Sequence, residues 1–180
     1  MLSKIFHSPF VRVPVRYGAI AAILCVGFVI SIYYLGTHPL LINPYLDFRV
    51  PVFILLLFFS LKEIRDFYRE GILYFAQGMI ACFVFTFVFA LIAGVLIWLI
   101  CLLHPAFLSS YISGATEQIK SIPPDIIERI GKEELERNIK ALPATNGVVL
   151  AIDYFGKSFI ISFFISVIIS VILRRQPKPE

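Results

Sequence analysis

The chain has 180 residues, 59% of them hydrophobic and only 16% charged, and its mean hydropathy is +0.88. A soluble domain is near half apolar and a quarter charged, so the surplus apolar surface needs lipid to cover it. The net charge of +4 comes from bases scattered around the apolar runs, a pattern that argues against a nucleic-acid partner.

The N-terminus carries Lys4, Arg12 and Arg16, then an apolar run from Tyr17 to Leu35. This resembles a signal peptide, but the run is too long for one. The residues that follow, Gly36-Thr37-His38-Pro39, offer no small-residue cleavage site. The run is expected to be a retained first span.

The second apolar run, Val50–Leu61, falls short of the ~20 residues that cross a bilayer. It is extended by Lys62-Glu63-Ile64-Arg65-Asp66-Phe67-Tyr68-Arg69-Glu70, with no breaker before Gly71. A helix over about 48–68 is expected, with its last turns in the headgroup layer. Pro51 falls in its first turn, where proline is tolerated, and Gly71 suits a C-cap.

The third run, Phe75–Leu103, lies in a stretch from Gly71 to Thr116 with no Asp, Glu, Lys or Arg. A helix that is apolar on every side belongs in a membrane. Small residues recur at every fourth position: Gly78, Cys82, Thr86, Ala90 and Gly94. The last span, about 150–173, carries Ser158, Ser162, Ser166 and Ser170 at the same spacing. Small residues let helix backbones approach closely in lipid, where no hydrophobic force drives association. The two stripes are expected to pack against each other or against a partner.

Between these spans lies a loop, about 104–149. Ile119, Ile122, Ile126, Ile127 and Ile130 have helical spacing, as do Leu135, Ile139 and Leu142. Pro124 suits a helix N1 position, Gly131 interrupts and Pro143 stops. Two or three short amphipathic helices are expected there, capping the bundle. The first and third spans both run into a His-Pro pair, His38-Pro39 and His104-Pro105, but two dipeptides are too few to define a repeat.

Lys and Arg near span ends set orientation. Nine lie on one side: Lys4, Arg12, Arg16, Lys62, Arg65, Arg69, Arg174, Arg175 and Lys178. Only Arg49 and Lys157 lie close to the other side of the membrane. Both termini are expected to be cytoplasmic.

Few constellations carry chemistry. Cys25, Cys82 and Cys101 lie in apolar runs and read as packing residues. His7, His38 and His104 have no metal-ligand spacing, and no hydrolase, phosphate-loop or dinucleotide motif is present. Asp153 and Lys157, four apart, are expected to pair at the outer interface. Lys62, Arg65 and Arg69, with Arg16 from the same side, form a candidate site for an anionic lipid head or a polyprenyl phosphate. The plainer reading of this turn is a charged stop that pairs with itself, Lys62 with Asp66 and Asp66 with Arg69.

The segment Lys62-Glu63-Ile64-Arg65-Asp66, followed by Gly71, Tyr74-Phe75-Ala76 and Gly78, resembles the K-x-x-R-D … G … F-x-x-A/G stretch of the DUF4199 family. The resemblance extends over most of the chain in the order of its parts, from the basic first span to the closing Arg174-Arg175. The chain departs from the family pattern at Gly71-Ile72, where a glycine pair is usual. The resemblance implies a small bacterial membrane protein, of a kind found chiefly in Bacteroidota. Members are often encoded beside a membrane-associated glycosyltransferase, which implies an envelope-assembly partner. The family has no established activity.

Taken together, an all-α integral membrane protein is expected: one domain over 1–180, a four-helix bundle of the bacterial inner membrane, multi-pass, with a helical outer loop. The expected role is non-catalytic, as a subunit or scaffold of an envelope complex or as a homo-oligomer, with no cofactor and no metal. The alternative is a small transporter or a protein that handles anionic lipid or polyprenyl phosphate.

Overall fold

A computed structural model describes residues 8–42, 47–123, 127 and 131–176. Lys4, Pro124, Asp125, Ile126, Ile130 and Lys178 lie outside the described residues. Those described are helical apart from short connections and one isolated backbone bridge.

Helix α1 runs Pro9–Tyr34, beginning two turns before the apolar run. Pro9 occupies its first position, where the missing N–H costs nothing. These extra turns carry Arg12 and Arg16, ahead of the apolar run. Helix α2 runs Arg49–Glu63, and its winding loosens to a π-turn over Ile64–Tyr68. Gly71 then closes the segment at φ 83°, donating its N–H to the Arg65 carbonyl at 2.8 Å. The charged turn expected as regular helix is therefore a π-turn, which changes its side-chain pairing.

Helix α3 spans Phe75–Leu103. Its entry is capped by the Tyr74 and Gln77 pair, the Gln77 side chain accepting the Tyr74 N–H at 3.4 Å. After His104 the chain turns at Pro105 into α4, Pro105–Lys120, and α5 follows at Lys132–Ala141. Helix α6, Gly147–Leu173, starts at Asn146, whose side chain accepts the N–H groups of Val148 and Val149 at 3.0 Å each, a standard N-cap.

Helices α1, α3 and α6 are each long and apolar enough to cross a membrane. Large apolar side chains such as Ile23, Phe83, Phe163 and Phe164 stand exposed on their outer flanks, the surface that lipid covers. Helix α2 alone is about 22 Å long, less than the ~30 Å hydrocarbon core. It packs against α6 and α1. Its Phe53 inserts edge-on between Phe85 and Phe89 of α3, at ring distances of 5.9 and 4.6 Å.

The α3–α6 interface is a seam of small residues. Gly78, Cys82, Thr86, Ala90 and Gly94 are all buried, as are Ser158, Ser162, Ser166 and Ser170. Gly78 faces Ser170, and Cys82 Sγ lies 3.9 Å from Ser170 Oγ. The hydroxyls of Thr86 and Ser162 are hydrogen-bonded, and Gly94 lies under the Ala151 carbonyl. Each step of one turn up α3 matches a step of one turn down α6, so the helices are antiparallel. Helix α1 lies parallel to α3, with Gly18 against Phe85 at one end and Tyr33 against His104 at the other.

Candidate functional site

The two ends of the bundle differ in charge and burial. At the end where α1 begins and α6 finishes, bases predominate. The π-turn holds Arg65 and Asp66 side by side, with Nε to Oδ1 at 2.6 Å and Nη2 to Oδ2 at 3.2 Å. That guanidinium holds the Asp66 carboxyl below its ordinary range against the opposing effect of burial, with help from Lys62 and Arg175. Arg16 donates to Glu63 at 2.5 Å, and the Tyr17 hydroxyl donates to the same oxygen at 3.0 Å. Arg69 lies over the ring of Phe10 at 5.9 Å, its Nε buried without a hydrogen-bond partner among the described residues. Lys62 is exposed.

The four bases Arg16, Lys62, Arg65 and Arg69 thus share one end of the molecule but have separate neighbours. The pairing of Asp66 also departs from the helical expectation. Its partner is Arg65, next in sequence, and not Lys62 or Arg69. The wider π-winding moves residues three and four apart out of line. The C-terminal segment joins this end through two backbone hydrogen bonds between Leu73 and Arg175, at 3.0 and 2.9 Å.

At the opposite end the structure assembles a buried charge cluster that the sequence did not reveal. Asp47 precedes α2 and Arg49 begins it. The Asp47 carboxylate accepts the Arg49 backbone N–H at 2.9 Å, Arg49 Nε at 2.9 and 3.0 Å, and Nη2 at 2.5 Å. One carboxylate therefore satisfies an open helix N-terminus and neutralises the guanidinium. Arg49 Nη1 donates to Ser158 Oγ at 3.2 Å and reaches the Tyr154 carbonyl at 3.5 Å, and the guanidinium lies 4.5 Å from the centre of the Tyr154 ring. The side chains of Arg49 and Asp47 are only 9% and 13% exposed. The Tyr154 hydroxyl is buried with no hydrogen-bond partner among the described residues.

Beside this cluster is a cavity of about 310 Å³ between the start of α2 and the N-terminal half of α6. Asp153 and Lys157, paired at 2.7 Å and about half exposed, stand at its rim. Leu40, Val50, Ile160 and Ile161 supply apolar wall. Desolvating charge at such a depth is expensive, so a buried ionisable pair in a membrane bundle points to function. The signal in sequence was slight: one Asp-x-Arg at the start of a short apolar run, and a serine that counted only as part of a stripe.

At the same end as the Arg49 cluster lies an aromatic knot around Tyr33. His38 and His104 flank its ring at 6.1 and 5.9 Å, and Phe107 lies 5.0 Å away. His38 Nε2 donates to the Phe107 carbonyl at 3.2 Å while its Nδ1 accepts the Leu40 N–H at 3.3 Å. The two His-Pro pairs thus meet in space, each closing one of the two parallel helices. Among the described residues, no group of three His, Cys, Asp or Glu side chains is placed to hold a metal.

The model of a family described as a protein of unknown function, DUF4199, matches residues 16–175. No curated protein matches the chain, and no solved structure does.

Proposed function

The chain belongs to the DUF4199 family, and from its geometry we propose that it is a non-catalytic, multi-pass protein of the bacterial inner membrane that serves as a rigid subunit or scaffold of an envelope complex. The observation that carries this reading is the α1–α3–α6 interior. Gly18 meets the Phe85 backbone, Gly78 meets Ser170, and Thr86 bonds to Ser162, so three helices are locked at close range. Such a body suits holding a partner in place.

In this reading α2 crosses as a fourth helix, and both termini face the cytoplasm. The support is that α1 begins, α2 ends, α3 begins and α6 ends at one end of the bundle, the end that carries Arg12, Arg16, Lys62, Arg65, Arg69, Arg174 and Arg175. This agrees with the excess of bases in cytoplasmic segments. The basic end then contacts the anionic inner leaflet, where Lys62 and Arg69 engage lipid phosphates.

Gentle extraction of the tagged full chain, followed by separation by size, tests the scaffold role. A stoichiometric membrane-protein partner or a stable homo-oligomer is expected, and an isolated monomer would overturn the reading. Orientation is tested with Glu117→Cys and Lys62→Cys and a membrane-impermeant thiol reagent on the outer side of the cytoplasmic membrane. Labelling at 117 alone is expected, and labelling at 62 alone would reverse the topology.

A further inference from the structure

We propose that the cavity between α2 and α6 is a binding site, open sideways to the bilayer, for a zwitterionic phospholipid whose head carries a phosphate and a primary ammonium. The cavity has two walls of different chemistry. One is charged, with Asp47 and Arg49 deep and Asp153 and Lys157 at the rim. The other is apolar, with Val50, Ile160 and Ile161. Ile160 is 63% exposed, on the flank where lipid lies. An occupant must therefore be an amphiphile, entering from the membrane with its head toward Arg49.

Charge selects the head. Two acids and two bases line the cavity, so its formal charge is zero. An anionic head would meet two carboxylates along with two cations, and a cationic head the reverse. A head that carries both signs can place phosphate oxygens at Lys157 and the free edge of Arg49, and its ammonium at Asp153. Asp47, Ser158 and the Tyr154 carbonyl take four of the five guanidinium N–H directions among the described residues, which leaves one on Nη2 for a phosphate oxygen. The volume of about 310 Å³ suits a head and the first carbons of a chain, the remainder lying along Ile160 in lipid. The buried pair gains a role by this assignment. Arg49 is fixed by Asp47 and Ser158 before any ligand arrives, so binding does not have to order it.

The full chain, stripped of lipid in detergent, is titrated with phosphatidylethanolamine and phosphatidylglycerol of identical acyl chains, and bound lipid is counted by native mass spectrometry. Phosphatidylethanolamine is expected to bind about tenfold more tightly, the value of one charge-assisted contact. Asp153→Asn, at a half-exposed rim, removes the partner of the ammonium and is expected to abolish that preference, whereas Lys157→Ala, at the same rim, is expected to weaken both lipids and keep it. Free phosphoethanolamine is expected to compete poorly, because the apolar wall contributes only to the lipid. Equal or tighter binding of phosphatidylglycerol, or an unchanged preference in Asp153→Asn, would overturn the proposal. Displacement by free phosphoethanolamine at the lipid's own concentration would overturn the lipid as the ligand.

Discussion

Gly18 of α1 and Phe85 of α3 meet backbone to backbone: a β-carbon on Gly18 would lie 2.6 Å from the Phe85 carbonyl oxygen and 3.4 Å from the Phe89 nitrogen. Two helix backbones cannot both give way, so Gly18→Ala must push α1 off α3. The expected cost is about 1–3 kcal/mol, the range for overpacking a tight contact. Gly27, on the same helix, has nothing within 4 Å of its β-carbon position. Gly27→Ala is expected to be neutral or stabilising by up to about 1 kcal/mol, since glycine weakens a helix interior. Thermal unfolding of both variants in detergent checks the pair, and equal melting temperatures would refute the close contact.

The seam between α3 and α6 makes a second, smaller prediction. Thr86 donates to the Cys82 carbonyl at 2.8 Å and also bonds to Ser162. In membranes such side-chain bonds contribute about 0.6 kcal/mol on average. A double-mutant cycle with Thr86→Val and Ser162→Ala should return a coupling of ~0.6 kcal/mol. Ser162→Leu should cost considerably more, because it fills a seam built for small side chains. A tolerated leucine would show that α3 and α6 do not touch at this level.

The periodic part of this architecture was readable before any coordinates, and the reason is physical. Spacing by four places Gly78, Cys82, Thr86, Ala90 and Gly94 on one face of α3, and a helix in lipid has few other ways to form a close contact. The same signal lay unread in α1, where Gly18, Ala21, Ala22 and Cys25 are buried, because alanine is common and its spacing there is less regular. The charged turn after α2 was read as helix because composition cannot distinguish α from π winding over Ile64–Tyr68. That choice depends on how Gly71 closes the segment onto Arg65. The Arg49 cluster was hidden for another reason. Asp47 and Arg49 are local, but Tyr154 and Ser158 come from more than a hundred residues away, and only the parallel packing of α2 on α6 unites them.

His38 gives a pH prediction. Burial pushes its imidazole below the ordinary value of 6.5, and the bond to the Phe107 carbonyl offsets part of that shift. The ring is neutral in the fold, with Nε2 donating and Nδ1 accepting the Leu40 N–H, so a second proton would displace that N–H. A group with a depressed folded pKa binds protons more readily when unfolded. Its stabilising contribution is full above pH 6.5 and is lost as pH falls through the lower folded value. The melting temperature is expected to fall on acidification below pH 6.5. His38→Gln, which can donate and accept at the same positions, should flatten the decline. A decline of the same depth in the variant would refute the assignment to His38.

The Asp47–Arg49 pair makes the sharpest stability prediction, because each partner leaves the other buried. Arg49→Met removes the cation and strands the Asp47 carboxylate at 13% exposure. It also leaves the α2 N-terminus dependent on a charge with no counterion. Breaking a buried pair from one side costs on the order of 3–5 kcal/mol. Arg49→Lys should recover little, because an ammonium cannot meet both Asp47 oxygens and Ser158 together. Asp47→Asn combined with Arg49→Met removes both charges and should regain most of the loss, since the asparagine amide oxygen can still accept the backbone N–H of residue 49. Unfolding of these proteins and of the single Asp47→Asn variant in the same detergent decides between a coupled pair and two independent residues. Additive losses in the double variant would show that the carboxylate and guanidinium do not depend on one another.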